Sequence, residues 1–460
     1  MTGGCEPEGE MGMEGSAESG PGLPGTVWLP DWLYADGAMR AGWAVALAGG
    51  QLAAVGPAPE VLAAHAGWRL ERLGERLLLP GSINGHNHSF QILMRGMGED
   101  DDFFGWRSGV LYPVSQSLSC EEIGWAAELA YADMLRHGVT TVADFFYLND
   151  QGIENALVVA EAARRVGMRL VLARTFYDWE GAPARYRETP AQAHQHTLEL
   201  AAALRGDPLV TVQVAPHSPH GASAAMFAAA VATAEELDTK LHVHVAEGAY
   251  EREQVLAAHG VSPVAWLDQV GALGSRSVLI HAVWTDEADW DLMRDRGVAV
   301  IHNPASNMIL GDGIAPVPAL LARGIRVGLG TDGGCTNDRS SVLDEMRMAA
   351  LLQKVQARNG QALDAATAFR LGTEAGADAL GLSAGRLAPG CAADAFTVNL
   401  RDLSLLPGPP TIGHVVYALS ATAVDTVWVA GRPVVEHGRP VHLDPARAKW
   451  ASGWQRERGH

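Results

Sequence analysis

Between residues 81 and 384 the chain alternates short apolar runs with longer, alanine-rich stretches, and few architectures accommodate that rhythm. The apolar runs are 80–84, 140–144, 169–173, 210–215, 240–245, 277–281, 299–302 and 326–329. Between them lie helix-like stretches such as 120–137, 150–167, 223–237 and 287–297. Strands joined by helices run parallel, because each crossover returns the chain to the same end of the sheet. Eight such units in about 300 residues fit a closed (β/α)8 barrel better than an open sheet. The expected fold class is therefore α/β, a TIM barrel over 81–384.

The flanks have a different texture. Short strand-like pieces broken by Gly and Pro occur at 27–29, 44–47, 52–55 and 77–79, and again at 395–398, 414–417, 426–429 and 433–435. Neither set is self-sufficient, so 26–80 and 385–446 are expected to assemble into one composite β-sandwich. Residues 1–25 are rich in Gly, Glu, Pro and Ser and read as a disordered tail. Residues 447–460 read as a C-terminal tail.

The formal net charge of −19 argues against a nucleic-acid or anionic-membrane partner. Four dispersed cysteines with no C-x-x-C give neither a disulfide framework nor a thiolate zinc site. No apolar run reaches 18 residues. The N-terminus opens with Glu6, Glu8, Glu10 and Glu14 in place of a basic and apolar leader, which predicts a cytoplasmic protein. Exposed barrel helices favour a homo-oligomer.

Histidines and carboxylates fall at four predicted strand ends. The first strand runs into His86-Asn87-His88; residues i and i+2 of an extended chain face the same way, so both imidazoles can meet one ion. The fifth reads His242-Val243-His244 with Glu247 just beyond, the sixth ends at His281, and the eighth leads to Asp332. One of His242 and His244 supplies a third nitrogen. Imidazoles plus a carboxylate suit zinc with one position left for water, whose pKa falls towards about 7 on binding. Asp332 is placed to accept a proton, Glu247 to donate one, and His281 to polarise the substrate. Iron or manganese also suits such a set. The only lysines are Lys240, Lys354 and Lys449. None ends the fourth strand, so a modified lysine bridging two metals is ruled out there and one metal per subunit is expected.

Several decoys are discarded. Gly381-Leu382-Ser383-Ala384-Gly385 matches a nucleophile elbow, but a helix precedes it and a strand follows. The acidic run from Glu99 to Asp102 reads as a solvated loop. Cys335 reads as a small core residue.

From about 27 to 445 the sequence resembles the amidohydrolase superfamily, and within it the mononuclear deaminase branch. That branch includes methylthioadenosine/adenosylhomocysteine deaminases, 8-oxoguanine deaminase and triazine hydrolases. The resemblance is carried by Pro80-Gly81 with His86-Asn87-His88, Gly138-Val139-Thr140-Thr141, Ala215-Pro216-His217-Ser218-Pro219, and His242-Val243-His244-Val245-Ala246-Glu247. It continues through His302-Asn303-Pro304-Ala305-Ser306-Asn307, Gly330-Thr331-Asp332-Gly333, and Gly385-Arg386-Leu387-Ala388-Pro389-Gly390.

The resemblance implies that His86, His88, His244 and Asp332 bind the metal. It makes Glu247 the proton shuttle, puts His281 at the hydroxide or the attacked group and leaves His242 structural. It also implies a distorted barrel with a β-sandwich from both chain ends. His217 resembles the adenosine-type enzymes, whereas Gln91 is similar to the 8-oxoguanine and triazine enzymes. Ser115 stands where the adenosine-type enzymes carry a ribose-binding Glu. Gln91, Trp106, Arg174 and His217 are the expected substrate contacts, with Trp106 and Phe104 as stacking surfaces. The implied activity is attack of zinc-bound hydroxide on an aminated nitrogen heterocycle with release of ammonia. The alternatives are a triazine chloro- or alkylamino-hydrolase, a methylthioadenosine/adenosylhomocysteine deaminase and, remotely, a non-catalytic scaffold.

Overall fold

The computed structural model describes residues 25–98 and 100–458. The tail expected over 1–25 lies outside them apart from Gly25, as does Glu99 of the acidic run.

Five strands open the chain: β1 (Thr26–Ala35), β2 (Ala38–Ala41), β3 (Trp43–Ala48), β4 (Gln51–Pro57) and β5 (Arg69–Pro80). Eight more follow: β6 (Ser82–Asn87), β7 (Val139–Phe146), β8 (Arg169–Phe176), β9 (Val210–Pro216), β10 (Leu241–Val245), β11 (Ser277–His281), β12 (Ala299–His302) and β13 (Arg326–Leu329). The last four are β14 (Ala395–Asn399), β15 (Val424–Val429), β16 (Arg432–Glu436) and β17 (Arg439–Pro440).

Strands β6 to β13 form one parallel sheet in sequence order, alternating with helices, and this is the expected barrel. Its first and last strands meet at a seam. The Asp332 amide donates to the His86 carbonyl at 3.0 Å, and Asn84 and Thr331 exchange hydrogen bonds of 2.7 and 2.9 Å. Two glycines make the seam close. A Cβ on Gly85 would lie 3.0 Å from the Leu329 carbonyl oxygen, and one on Gly330 would lie 2.8 Å from the His86 amide nitrogen. Inside the ring, Ile83, Ala143, Val171, Ile280 and Ile301 are buried with Ala377, Ala379 and Leu380 of the helix Glu374–Leu380. That helix closes the end opposite the polar strand ends. The outer helices begin where the sequence offers caps. The alanine-rich helix Ala224–Glu236 starts at Ser223, whose hydroxyl accepts the Met226 amide, and Ser119 with Glu122 forms a capping box at Cys120–Leu135.

The two flanks meet in one mixed sheet of order β17-β16-β15-β14-β5-β1-β3-β4, with β2 paired to β1. Strand β5 joins them, pairing parallel with β1 and antiparallel with β14. Two strands separate β1 from β15, a span of about 14 Å on a flat sheet. Trp28 and Trp428 nonetheless sit with ring centroids 4.8 Å apart, so the sheet curls over its own core. The expected two-layer sandwich is thus one hydrogen-bonded sheet folded on itself, because β5 serves both halves. Asp394 ties it to the barrel through a two-pronged ion pair with Arg169 at 2.7 and 3.0 Å.

The stretch expected to be a C-terminal tail is instead mostly helix, Pro445–Glu457. Trp450 and Trp454 lie one turn apart and give it an apolar stripe. Trp454 is buried, and Gln455 donates to the carbonyls of Leu93 and Arg95 at 3.0 and 2.9 Å. No helix among the described residues is long and apolar enough to cross a membrane.

Candidate active site

The site lies where the barrel strands end. His88 donates from Nδ1 to the Phe145 carbonyl at 2.6 Å, and His244 from Nδ1 to the His217 carbonyl at 3.0 Å. Each bond leaves a lone pair on Nε2 and aims it inward. His86 Nε2 lies 3.2 Å from His244 Nε2 and 3.3 Å from Asp332 Oδ1, while His88 Nε2 is 3.4 Å from the same oxygen. Asp332 is held by Ser306, whose hydroxyl donates to Oδ2 at 2.7 Å, and by the Gly333 amide at 2.8 Å to Oδ1.

Burial pulls the His86 imidazole down to about 3 and holds His244 well below the usual range. Burial alone would raise the Asp332 carboxyl. The hydrogen bond from His86 and the field of His86, His281 and His88 outweigh it and hold Asp332 well below the carboxylate range. The donor set is three imidazoles and one carboxylate. Such a group fits a divalent metal, since close-packed buried lone pairs need a cation to compensate them. His86-His88-Asp332 and His86-His244-His281 each place their ligand atoms within 4.8 Å of one another. His242 points into the barrel below this layer and hydrogen-bonds Gln213 at 2.6 Å.

Backbone strain sets the remaining groups. Along β11, Val278 and Ile280 face the barrel interior, so alternation would turn His281 outward to the helices. His281 adopts φ +73° and Ala282 φ +51°, which brings the ring back into the site. Ala246, just before Glu247, has φ +51°, and Asp332 has φ +60°. Left-handed backbone at non-glycine residues costs of order 1–3 kcal/mol each and persists where the surroundings fix it. Glu247 Oε1 then lies 3.4 Å from His281 Nε2. Burial, followed by the fields of Asp312, Asp332 and Glu251, raises the Glu247 carboxyl well above its usual value. Two carboxyls of one site are thus pushed in opposite directions, which separates an acceptor from a donor of protons.

Above these groups is a cavity with about 620 Å³ of empty space. Gln91, Trp106 and His217 line it, as expected. Gln91 is committed to protein partners: its Nε2 donates to Tyr147 at 2.7 Å and its Oε1 accepts from Cys335. His217 stacks on Tyr177 with centroids 4.1 Å apart. Arg174 is a correction. It alternates away from the cavity on β8, is fully buried among the helices, and pairs with Glu188 at 2.8 Å. Asp178, nearby in sequence, accepts from the amide and hydroxyl of Ser223. Phe104 is another, being 41% exposed outside the cavity while Phe103 lines it. The Ser115 hydroxyl is hydrogen-bonded to that of Tyr186.

Sequence reasoning misses Tyr147 and Tyr177, which line the cavity directly after β7 and β8. Their position after strand ends is a signal that could have found them. It also misses Asn303, Ser306 and Asn307, which stand behind His281 and Asp332.

The sequence model for the amidohydrolase family matches residues 77–434. A 5-methylthioadenosine/S-adenosylhomocysteine deaminase of Syntrophobacter fumaroxidans is 37% identical over 398 residues, covering 86% of this chain and 89% of its own. A 5'-deoxyadenosine deaminase of Methanothermobacter thermautotrophicus is 35% identical over 367 residues, covering 79% and 83%. Among solved structures, an adenosine deaminase from Xanthomonas campestris with bound zinc superposes with a TM-score of 0.86 at 29% identity, covering 94% of this chain and 98% of its own. An atrazine chlorohydrolase from Arthrobacter aurescens complexed with zinc gives 0.85 at 25% identity, covering 93% and 99%.

Proposed function

The chain belongs to the amidohydrolase family, and on that premise we propose that it is a zinc-dependent hydrolytic deaminase of an aminated nitrogen heterocycle. The observation that carries the reading is the meeting, at one cavity, of the imidazoles of His86, His88 and His244 with Asp332, whose carboxyl is held low, and Glu247, whose carboxyl is raised. His86, His88 and His244 through Nε2, with Asp332, would hold one zinc ion. When bound, zinc acidifies a coordinated water to near neutrality and so supplies a nucleophile.

The chain's own groups do the rest. Asp332 Oδ2 accepts a proton as the oxygen attacks the ring carbon bearing the amino group. Glu247 delivers its proton to the adjacent ring nitrogen, so that no charge builds there. His281 hydrogen-bonds the entering oxygen. The C–N bond then breaks and the amino group leaves as ammonia with the proton held by Asp332; Glu247 takes the remaining proton of the entered oxygen as the carbonyl forms, and the ring nitrogen keeps the proton it received.

The wall suits a planar ring. Trp106, Tyr147, Tyr177, Tyr186 and His217 offer flat faces around the opening. The names of the relatives put adenine nucleosides first among substrates. Ser115, engaged with Tyr186, offers no carboxylate to ribose hydroxyls, which favours a free base.

Ammonia release from zinc-loaded protein separates these. The panel is adenosine, methylthioadenosine, adenosylhomocysteine, 8-oxoguanine, guanine, isoxanthopterin, melamine and hydroxyatrazine, with Glu247→Gln as the blank. Turnover of at least one member is expected, with the blank slower by about 10²–10⁴-fold. Chloride or alkylamine release from a triazine without ammonia from any member would move the reaction to the triazine type. A blank as fast as the native chain would sink the assignment of Glu247.

A further inference from the structure

A neutral imidazole carries one N–H, so His281 meets the reacting group either as donor or as acceptor. What stands behind its ring decides which. His281 Nδ1 lies 3.0 Å from Asn307 Nδ2 and 3.3 Å from Asn303 Nδ2, and an amide nitrogen only donates. Asn307 Nδ2 also donates to Asp312 Oδ2 at 3.2 Å, so this oxygen, accepting, turns the NH2 end of the amide towards the ring; burial raises the Asp312 carboxyl to about 7, and the orientation holds with that oxygen unprotonated. Asp312 is itself anchored. Its amide donates to the Asn307 carbonyl at 2.9 Å, and its carbonyl accepts from Trp284 Nε1 at 2.6 Å.

With Nδ1 accepting, the ring proton sits on Nε2. That atom is buried without a hydrogen-bond partner among the described residues, 3.4 Å from Glu247 Oε1 and 3.9 Å from Asp332 Oδ2. His88 and His244 are the reverse case: a carbonyl behind each ring takes the Nδ1 proton and leaves a lone pair facing the site. The same side chain is thus sorted into two tautomers within one cavity, by a carbonyl behind two rings and amide N–H groups behind the third.

We propose that Asn307, oriented by Asp312 and assisted by Asn303, is a positioning residue that keeps His281 in its Nε2–H tautomer, so that His281 meets the reacting group as a hydrogen-bond donor. The catalytic consequence rests on the function proposed above; the tautomer does not.

The test is a long-range ¹H–¹⁵N correlation spectrum of the zinc-loaded, ¹⁵N-labelled full chain, with His281 identified by comparison with His281→Gln. The native ring is expected to show the Nε2–H pattern. Asn307→Asp is nearly isosteric but puts an acceptor behind the ring, and is expected to reverse the pattern to Nδ1–H. It should lower kcat by about 100-fold or more with a much smaller change in KM. Asn307→Ala leaves Asn303 in place and should lose less, whereas a purely structural role would make Ala the worse substitution. Asp312→Ala, away from the ring, should shift part of the population to Nδ1–H and serves if Asn307→Asp does not fold. A native Nδ1–H pattern, or an unchanged pattern in Asn307→Asp, overturns the proposal, as does an unchanged pattern in Asp312→Ala for the part given to Asp312. Absence of turnover by the native chain on every substrate would count against the function, while the spectrum would still decide the tautomer.

Discussion

At the floor of the cavity His88, His244, His281 and Asp332 are each gripped from behind, by a carbonyl, a carbonyl, two amide nitrogens and a hydroxyl with a backbone amide. On the wall, the buried Nε1 of Trp106 and Nε of Arg107 find no hydrogen-bond partner of good geometry among the described residues. The Arg107 guanidinium lies instead over the rings of Phe103, Phe104, Tyr112 and Trp179, 5.0 to 5.7 Å from each centroid. The floor is carried by barrel strands and their ends, and the largest single share of the wall by the segment between β6 and β7. Groups fixed in advance can do chemistry without reorganising, whereas donors left unpaired can be satisfied by a ligand. The difference separates reaction from recognition, and substitutions in the two regions should have different signatures.

Asp332→Ala should have the largest effect. Turnover should fall below detection and the bound-metal content, measured by elemental analysis, should drop with it. Retention of full activity would break the distinction at once. Ser306→Ala removes only the hydroxyl behind Asp332 Oδ2. A loss of about 10–100-fold in metal affinity is expected, measured by competition with a chelator, because partners of ligands orient them. An unchanged affinity would show that the Gly333 amide alone suffices.

Trp106→Phe should leave metal content untouched and kcat nearly so. It should raise KM by about tenfold or less, the worth of one hydrogen bond. A fall in metal content there would show that wall and floor are not separable.

The smallest effect concerns Glu345, which lies deeper behind the floor. It accepts the Ala305 amide at 3.0 Å and Asn337 Nδ2 at 2.8 Å, and burial pushes its carboxyl up to about 8. A carboxyl raised on folding favours the fold fully below its unfolded pKa and loses that contribution as pH rises through the folded value. Metal-free protein should therefore lose stability between about pH 4.5 and pH 8. Glu345→Gln should flatten that part of the profile, as measured by chemical denaturation at a series of pH values.

The barrel is legible in the sequence because each strand is an apolar run bounded by polar residues. The observed strands β7 and β8 run two or three residues past the expected ends, through Phe145-Phe146 and Arg174-Thr175-Phe176, because ladder pairing with the neighbouring strands continues there. His86 and His88 are legible because alternation within an extended chain turns both one way, whereas His244 is told from His242, and Asp332 on its left-handed backbone past β13 is assigned, only by the resemblance. The same rule fails at His281, where a left-handed backbone reverses it, and no residue type announces that reversal. It also corrects Arg174: a strand end is a place near the site, but only every second residue faces it. Asn303 and Asn307 stand in plain view in a recognised motif. Their work is invisible there because a positioning residue shows itself only by what it touches.

The sheet shared by the two flanks carries a consequence in time. Arg76 at the end of β5 pairs with Asp425, and the two are 349 residues apart in the chain. At about 5–20 residues per second, a ribosome takes roughly 20–70 s to cover that distance. For most of that interval, until Ala395–Asn399 is made, the outer edge of β5, with Leu77, Leu78 and Leu79, has been made but β14 has not. An apolar strand edge without its partner is a template for pairing with another chain. The whole barrel must therefore be made while this edge waits, and slow synthesis between β5 and β14 would expose the chain to aggregation longer than slow synthesis anywhere after β14.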